Sequence, residues 1–140
     1  MSVSSALLAL TALIVIAAIV GAVWRVRDGR LRTGAGAVDV SELGVAAGRI
    51  SLVQFSTETC SRCPQVRRML QDVAATRPDV DHVDVDLTAR PDLASRHRVL
   101  STPTTFLIGA EGQLVARFIG APRRGDVEAA LAGPVLQETA

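Results

Sequence analysis

The 140-residue chain contains no lysine, no asparagine and no tyrosine, and all 15 of its basic residues are arginine. No fold demands that pattern; it reads as the codon bias of a high-G+C bacterium. Only two cysteines are present, Cys60 and Cys63, which excludes the disulfide framework of a small secreted scaffold and leaves a catalytic or metal pair. A structural zinc site needs four ligands, and the only histidines, His82 and His97, lack the paired spacing of a zinc finger. No metal is therefore expected. Fifteen basic against 14 acidic residues offer no electrostatic case for nucleic acid. Charge is missing altogether from the first 24 residues.

That uncharged stretch has a core from about Ala6 to Val23, long enough to span a bilayer as a helix, with Trp24 closing it at interface depth. A cleaved signal would carry basic residues before a shorter apolar run, and Met1 to Ser5 has none. An uncleaved anchor is the expectation. A buried core helix would show a polar side, whereas only Ser4, Ser5 and Thr11 interrupt the apolar surface. Arg25, Arg27, Arg30 and Arg32 follow within eight residues of the span, against Asp28 alone. The bias of Lys and Arg toward the cytoplasmic side then places the N-terminus outside and the rest of the chain in the cytoplasm. Glycines among small residues from Gly29 to Ala37 read as a flexible tether. The organisation expected is an anchor over 1–24, a basic juxtamembrane segment and linker over 25–37, one domain over 38–133 and a tail over 134–140.

Within the domain, Val38–Leu43 reads as a short strand or turn and Ile50–Ser56 as a buried strand. From Pro64 to Ala75, Val66, Met69, Leu70 and Val73 fall at helical spacing, with Gln65, Arg67, Arg68, Gln71 and Asp72 on the solvated face. Val83 and Val85 alternate with Asp84 and Asp86 as a strand. Pro91 to His97 reads as a short helix that leaves His97 at the surface, and Thr104–Ile108 as the next strand. Gly109–Gly112 turns the chain into an antiparallel strand over Gln113–Phe118, and Arg123–Ala132 closes it as a helix. The order β-α-β-α-β-β-α predicts a mixed sheet with helices on both faces.

A strand, then Cys60-Ser61-Arg62-Cys63, then a helix is an arrangement in which two thiols open and close one disulfide. The reactive group is the pair itself, so no cofactor is expected. A helix N-terminus stabilises a thiolate at Cys60; Arg62 adds positive charge and Glu58 opposes it. Cys63, one turn further, would resolve a mixed disulfide by attacking the Cys60 sulfur. A helix running from Cys60 would drive the Pro64 ring into the Cys60 carbonyl. The four residues from Cys60 to Cys63 are thus expected as an irregular or 3₁₀-like turn, with regular helix from near Pro64.

Strand–C-x-x-C–helix, Thr102-Pro103 before the next strand, and Phe118-Ile119-Gly120-Ala121 before the last helix together resemble the thioredoxin family over about residues 38–133. The resemblance implies a three-layer α/β/α thioredoxin-like fold, with Cys60 attacking and Cys63 resolving. It further implies a cis Pro103 beside the disulfide, Thr102 pairing its backbone with an extended substrate, and Gly120 allowing close approach. Three departures stand out: Thr59 where the family usually has Trp, Gln54 where it usually has a buried acid, and Ser61-Arg62 between the cysteines with proline after them. His82 could carry the proton in place of the missing acid, since imidazole titrates near neutrality; a solvated strand end is the plainer account of it. The reading is of a membrane-tethered thiol–disulfide oxidoreductase that reduces protein substrates and takes electrons from an unidentified donor. The alternatives are a non-enzymatic tethered binding module of the same fold, or an extracytoplasmic oxidoreductase with reversed topology.

Overall fold

The computed structural model describes residues 3–27, 30–33 and 38–133. Its elements are helix α1 (Val3–Arg27), strand β1 (Arg30–Thr33), a 3₁₀ turn (Val40–Glu42), β2 (Ile50–Ser56), α2 (Cys63–Ala75), β3 (Val80–Asp86), α3 (Pro91–Arg96), β4 (Thr104–Ile108), β5 (Leu114–Ile119) and α4 (Arg124–Leu131). The strands form one five-stranded sheet in the order β1-β5-β4-β2-β3. β2 and β3 are parallel, joined by the α2 crossover, whereas β4 runs antiparallel to both β2 and β5. The mixed sheet expected from the order of the elements is present.

Because successive strand residues point to opposite faces, β2 divides its side chains between two cores. Leu52 joins Val66, Leu70 and Val73 of α2 and Val127 and Leu131 of α4 on one face. Val53 and Phe55 join Leu93 of α3, Phe106 and Leu43 on the other. The i, i+4, i+7 spacing of Val66, Leu70 and Val73 is what turns one stripe of α2 onto the sheet. β4 is buried along its whole length, as a central strand covered on both faces must be.

Three expectations change, and one open between two outcomes is decided. Arg30–Thr33 is not a structureless tether: it pairs antiparallel with β5, Arg30 opposite Ile119 and Thr33 opposite Ala116. Of the strand or turn expected over Val38–Leu43, the turn is present, a 3₁₀ turn over Val40–Glu42 capped by the Asp39 carboxylate. The third strand begins at Val80, three residues before its alternation becomes visible. His97 is buried, one helical turn beyond Leu93, with its ring 5.9 Å from Phe55 and 6.3 Å from Phe106. Arg117 holds that corner shut, donating to the His97 carbonyl at 2.8 Å from over the Phe106 ring.

In α1 the large side chains described, among them Leu8, Leu13 and Ile16, are all exposed, between 44% and 71%. Among the described residues no helix is long and apolar enough to cross a membrane; the side chains described along α1 run unbroken from Leu7 to Val23. The side chains of Trp24, Arg25, Arg27, Arg30 and Arg32 and the whole tail over 134–140 lie outside the described residues.

Candidate active site

β2 delivers the chain to the end of the sheet, where it turns back into α2. The Cys60 N–H donates to the Thr57 carbonyl at 3.1 Å and the Cys63 N–H to the Cys60 carbonyl at 3.3 Å, so the cysteines lie on a 3₁₀-like turn. The α-helix starts at Cys63 with Pro64 in its first turn, where the missing N–H costs nothing. The turn expected before the regular helix is there, with Cys63 already the first helical residue. Cys60 and Cys63 form a disulfide with their Cα atoms 5.4 Å apart, within the range the bond tolerates. Cys63 is buried at 2% exposure while Cys60 is partly open, so a partner sulfur can reach only Cys60.

Facing the disulfide is the loop that enters β4, with a cis Thr102–Pro103 peptide bond. The Gly120 N–H donates to the Pro103 carbonyl at 2.9 Å, and Gly120 takes a φ of 84°, a left-handed conformation that glycine adopts without steric cost. Thr57 and Thr102 join their hydroxyls at 3.2 Å across the gap between the two loops. Between them runs an open groove of about 440 Å³, lined by Thr57, Thr59, Cys60, Ser61, Arg62, Ser101, Thr102, Pro103, Ile119 and Gly120. Its walls mix hydroxyls, one guanidinium and apolar surface.

Behind the groove lies a buried polar layer. Gln54 is fully buried and its Nε2 donates to the Cys63 carbonyl at 3.0 Å. Its Oε1 lies 3.4 Å from His82 Nε2, and since an amide oxygen can only accept, that nitrogen carries the proton of this long contact. Burial of His82 lowers its pKa, Asp84 counteracts that, and Arg67 adds to the lowering. Arg67 itself pairs with Asp84, so it is more than a solvated helix residue: it ties α2 to β3. Asp84 also accepts from the Ser56 hydroxyl at 2.8 Å.

Five of the eight residues singled out in the sequence, Cys60, Arg62, Thr102, Pro103 and Gly120, line one groove. Cys63 and Gln54 stand behind it, and His82 reaches it only through Gln54. Arg62 caps α2 with its backbone and offers no side-chain cap bond. Sequence reasoning missed Thr57, which carries no motif of its own. It also missed Leu100, 97% exposed three residues before Pro103, whose position in a loop gave no periodic signal. Among the described residues no cluster of three or more His, Cys, Asp or Glu is arranged to hold a metal.

A C-x-x-C disulfide at the start of a helix, opposed by a cis proline loop on a mixed α/β/α sheet, defines a class of dithiol proteins. The thioredoxin family model matches residues 41–132, and the chain belongs to that family. It is similar to a thioredoxin of Mycolicibacterium smegmatis, 37% identical over 73 residues covering 50% of this chain and 64% of that protein. It is also similar to the mitochondrial thioredoxin-3 of Saccharomyces cerevisiae, 33% identical over 70 residues covering 50% of this chain and 54% of that protein. The crystal structure of the oxidised form of that yeast protein superposes with a TM-score of 0.54 at 28% identity, over 61% of this chain and 78% of the other. The match spans little more than half the length of the yeast thioredoxin-3 and of thioredoxin H2 of Arabidopsis thaliana, 54% and 57%.

Proposed function

We propose that this chain is a membrane-tethered thiol–disulfide oxidoreductase that reduces disulfides in protein substrates through Cys60 and Cys63. The observation that carries the reading is the asymmetry of the disulfide, with Cys60 open to a polypeptide-sized groove and Cys63 buried behind it. Cys60 thiolate attacks the substrate disulfide and one substrate sulfur leaves; Cys63 then attacks the Cys60 sulfur, and the second substrate thiol leaves as the pair closes. Reduced protein should accelerate insulin reduction by a dithiol, which a binding module of the same fold would not do. Cys63→Ser should accumulate mixed disulfides at Cys60, and Cys60→Ser should not. Equal trapping by both variants would remove the assignment of roles.

The tether is α1. Its support is a 25-residue helix, about 37 Å long at 1.5 Å per residue against a hydrocarbon core of about 30 Å. Its large side chains from Leu7 to Val23 are exposed apolar surface, which water does not tolerate in such a length. Arg25, Arg27, Arg30 and Arg32 after the span favour a cytoplasmic domain, and with it a reducing role supplied by cytoplasmic electrons. A membrane-impermeant maleimide should leave reduced Cys60 unlabelled in intact cells and label it after permeabilisation. Labelling without permeabilisation would reverse the topology.

A further inference from the structure

Only residues 28 and 29 separate α1 from β1. Three Cα steps from Arg27 to Arg30 span at most about 11 Å. Arg30 is the register partner of Ile119, and β1 then runs away from it to Thr33 opposite Ala116. Ile119 and Gly120 are walls of the groove that holds Cys60, and paired strand residues stand about 5 Å apart. The chain therefore enters the sheet at its reactive end, with the groove wall within about 16 Å of the end of α1. The Gly109–Gly112 hairpin lies at the far end of β4, about 17 Å further on.

We infer that the Cys60 end of the sheet faces the membrane, and that the redox partner is a membrane protein presenting a cysteine pair at the bilayer surface on the domain's side. The inference rests on α1 spanning the bilayer. The last turn of the helix, residues 24–27, adds about 6 Å beyond the apolar span, which leaves the groove in the layer occupied by the surface loops of integral proteins. A soluble substrate has to enter between groove and headgroups, whereas a partner in the same membrane is already there. Leu100, almost fully exposed in the loop that leads to Thr102-Pro103, lies at this same end, where contact with such a partner would cover it. The exchange balances without a further reagent. Cys60 thiolate forms a bond to one partner sulfur and the other leaves as thiolate. Cys63, its proton lost to solvent, closes on the Cys60 sulfur and expels the second, so two electrons pass to a partner that takes up two protons. Reduction of the Cys60–Cys63 disulfide by a partner dithiol follows the same steps in reverse.

The test uses the full chain reconstituted in phosphatidylcholine vesicles doped with a phosphatidylethanolamine whose headgroup carries a pyridyl disulfide. A rigid (EAAAK)₄ insertion between Arg27 and Asp28 lifts the domain by about 30 Å. The lifted form should release thiopyridone from the headgroup probe at least about tenfold more slowly, while its rate on a water-soluble pyridyl disulfide, which also shows that it folds, stays unchanged. Equal rates on the headgroup probe, or a lifted form that gains speed on insulin without losing it on the headgroup probe, would overturn the inference. A second measurement needs no insertion: bimane on Cys60 in Cys63→Ser should be quenched by headgroup quenchers more strongly than bimane on Glu111→Cys in a chain lacking both native cysteines. Equal or reversed quenching overturns the orientation. Protein released from the vesicles by carbonate would sink the anchor itself, and with it this inference; protein retained with reversed quenching sinks the orientation alone.

Discussion

Gln54 puts a neutral amide directly behind Cys63, its Nε2 donating to the Cys63 carbonyl and its Oε1 facing His82. An amide neither takes nor gives a proton near neutrality, so the proton of the resolving thiol has to leave by water or another base. Gln54→Asp removes the donor to that carbonyl and installs a fully buried carboxyl, whose neutral form burial favours. Release of a Cys60 mixed disulfide should then acquire a new pH dependence, accelerating as the Asp ionises above the ordinary carboxylate range. Stopped-flow release of thionitrobenzoate from Cys60 between about pH 5 and pH 9 checks it. A profile identical to the parent would exclude position 54 from proton transfer to Cys63.

Among the elements, β1 has the weakest sequence signal and the largest consequence. Its four residues alternate no apolar pattern, yet its backbone covers the outer edge of β5 over four register pairs, which would otherwise be an unpaired template for other chains. Deleting residues 1–33 should leave a folded domain that is less stable by on the order of 2 kcal/mol, taking the ladder bonds of the four register pairs at about 0.5 kcal/mol net each. For a domain of this size that is a fall in Tm of roughly 10 °C, with new concentration-dependent association through the bared edge. Calorimetry and light scattering decide it; an unchanged Tm would mean that β1 contributes nothing. α2 shows the opposite balance, since its apolar spacing and Pro64 alone prescribed where it begins and which stripe it buries.

For the whole molecule the two histidines set the response to mild acid. Burial lowers the pKa of both His82 and His97 below the ordinary imidazole value, so below about pH 6.5 the unfolded chain binds protons that the folded chain refuses. Stability should thus fall as the pH drops through 6.5 toward the folded-state values. The lowered carboxyls, Asp39 through its hydrogen bonds from Ser41, Asp81 through that from Arg49 and Asp92 through that from Arg90, act in a more acidic window and are solvent-screened. Thermal denaturation should give a lower Tm at pH 5.5 than at pH 7.5, and His82→Gln combined with His97→Leu should flatten that difference. An equal slope in the double variant would place the acid sensitivity elsewhere.

By itself the sequence determined what depends on local order: the β-α-β-α-β-β-α succession, the faces of α2 and α4, and the turn forced between Cys60 and Pro64. It also marked the cysteine pair by its C-x-x-C spacing, while Thr102, Pro103 and Gly120 entered through the resemblance to the thioredoxin family. What lay beyond it depends on neighbours distant in the chain. Arg30–Thr33 is a strand because β5, more than eighty positions later, offers an unpaired edge. His97 is a core residue because Phe55 and Phe106 close over it from two other strands. His82 meets Gln54 because the parallel register of β2 and β3 places Leu52 beside His82 and Gln54 two residues on, along the same face. Edges, covered rings and cross-strand contacts exist only once the chain has folded, so tertiary structure alone could decide them.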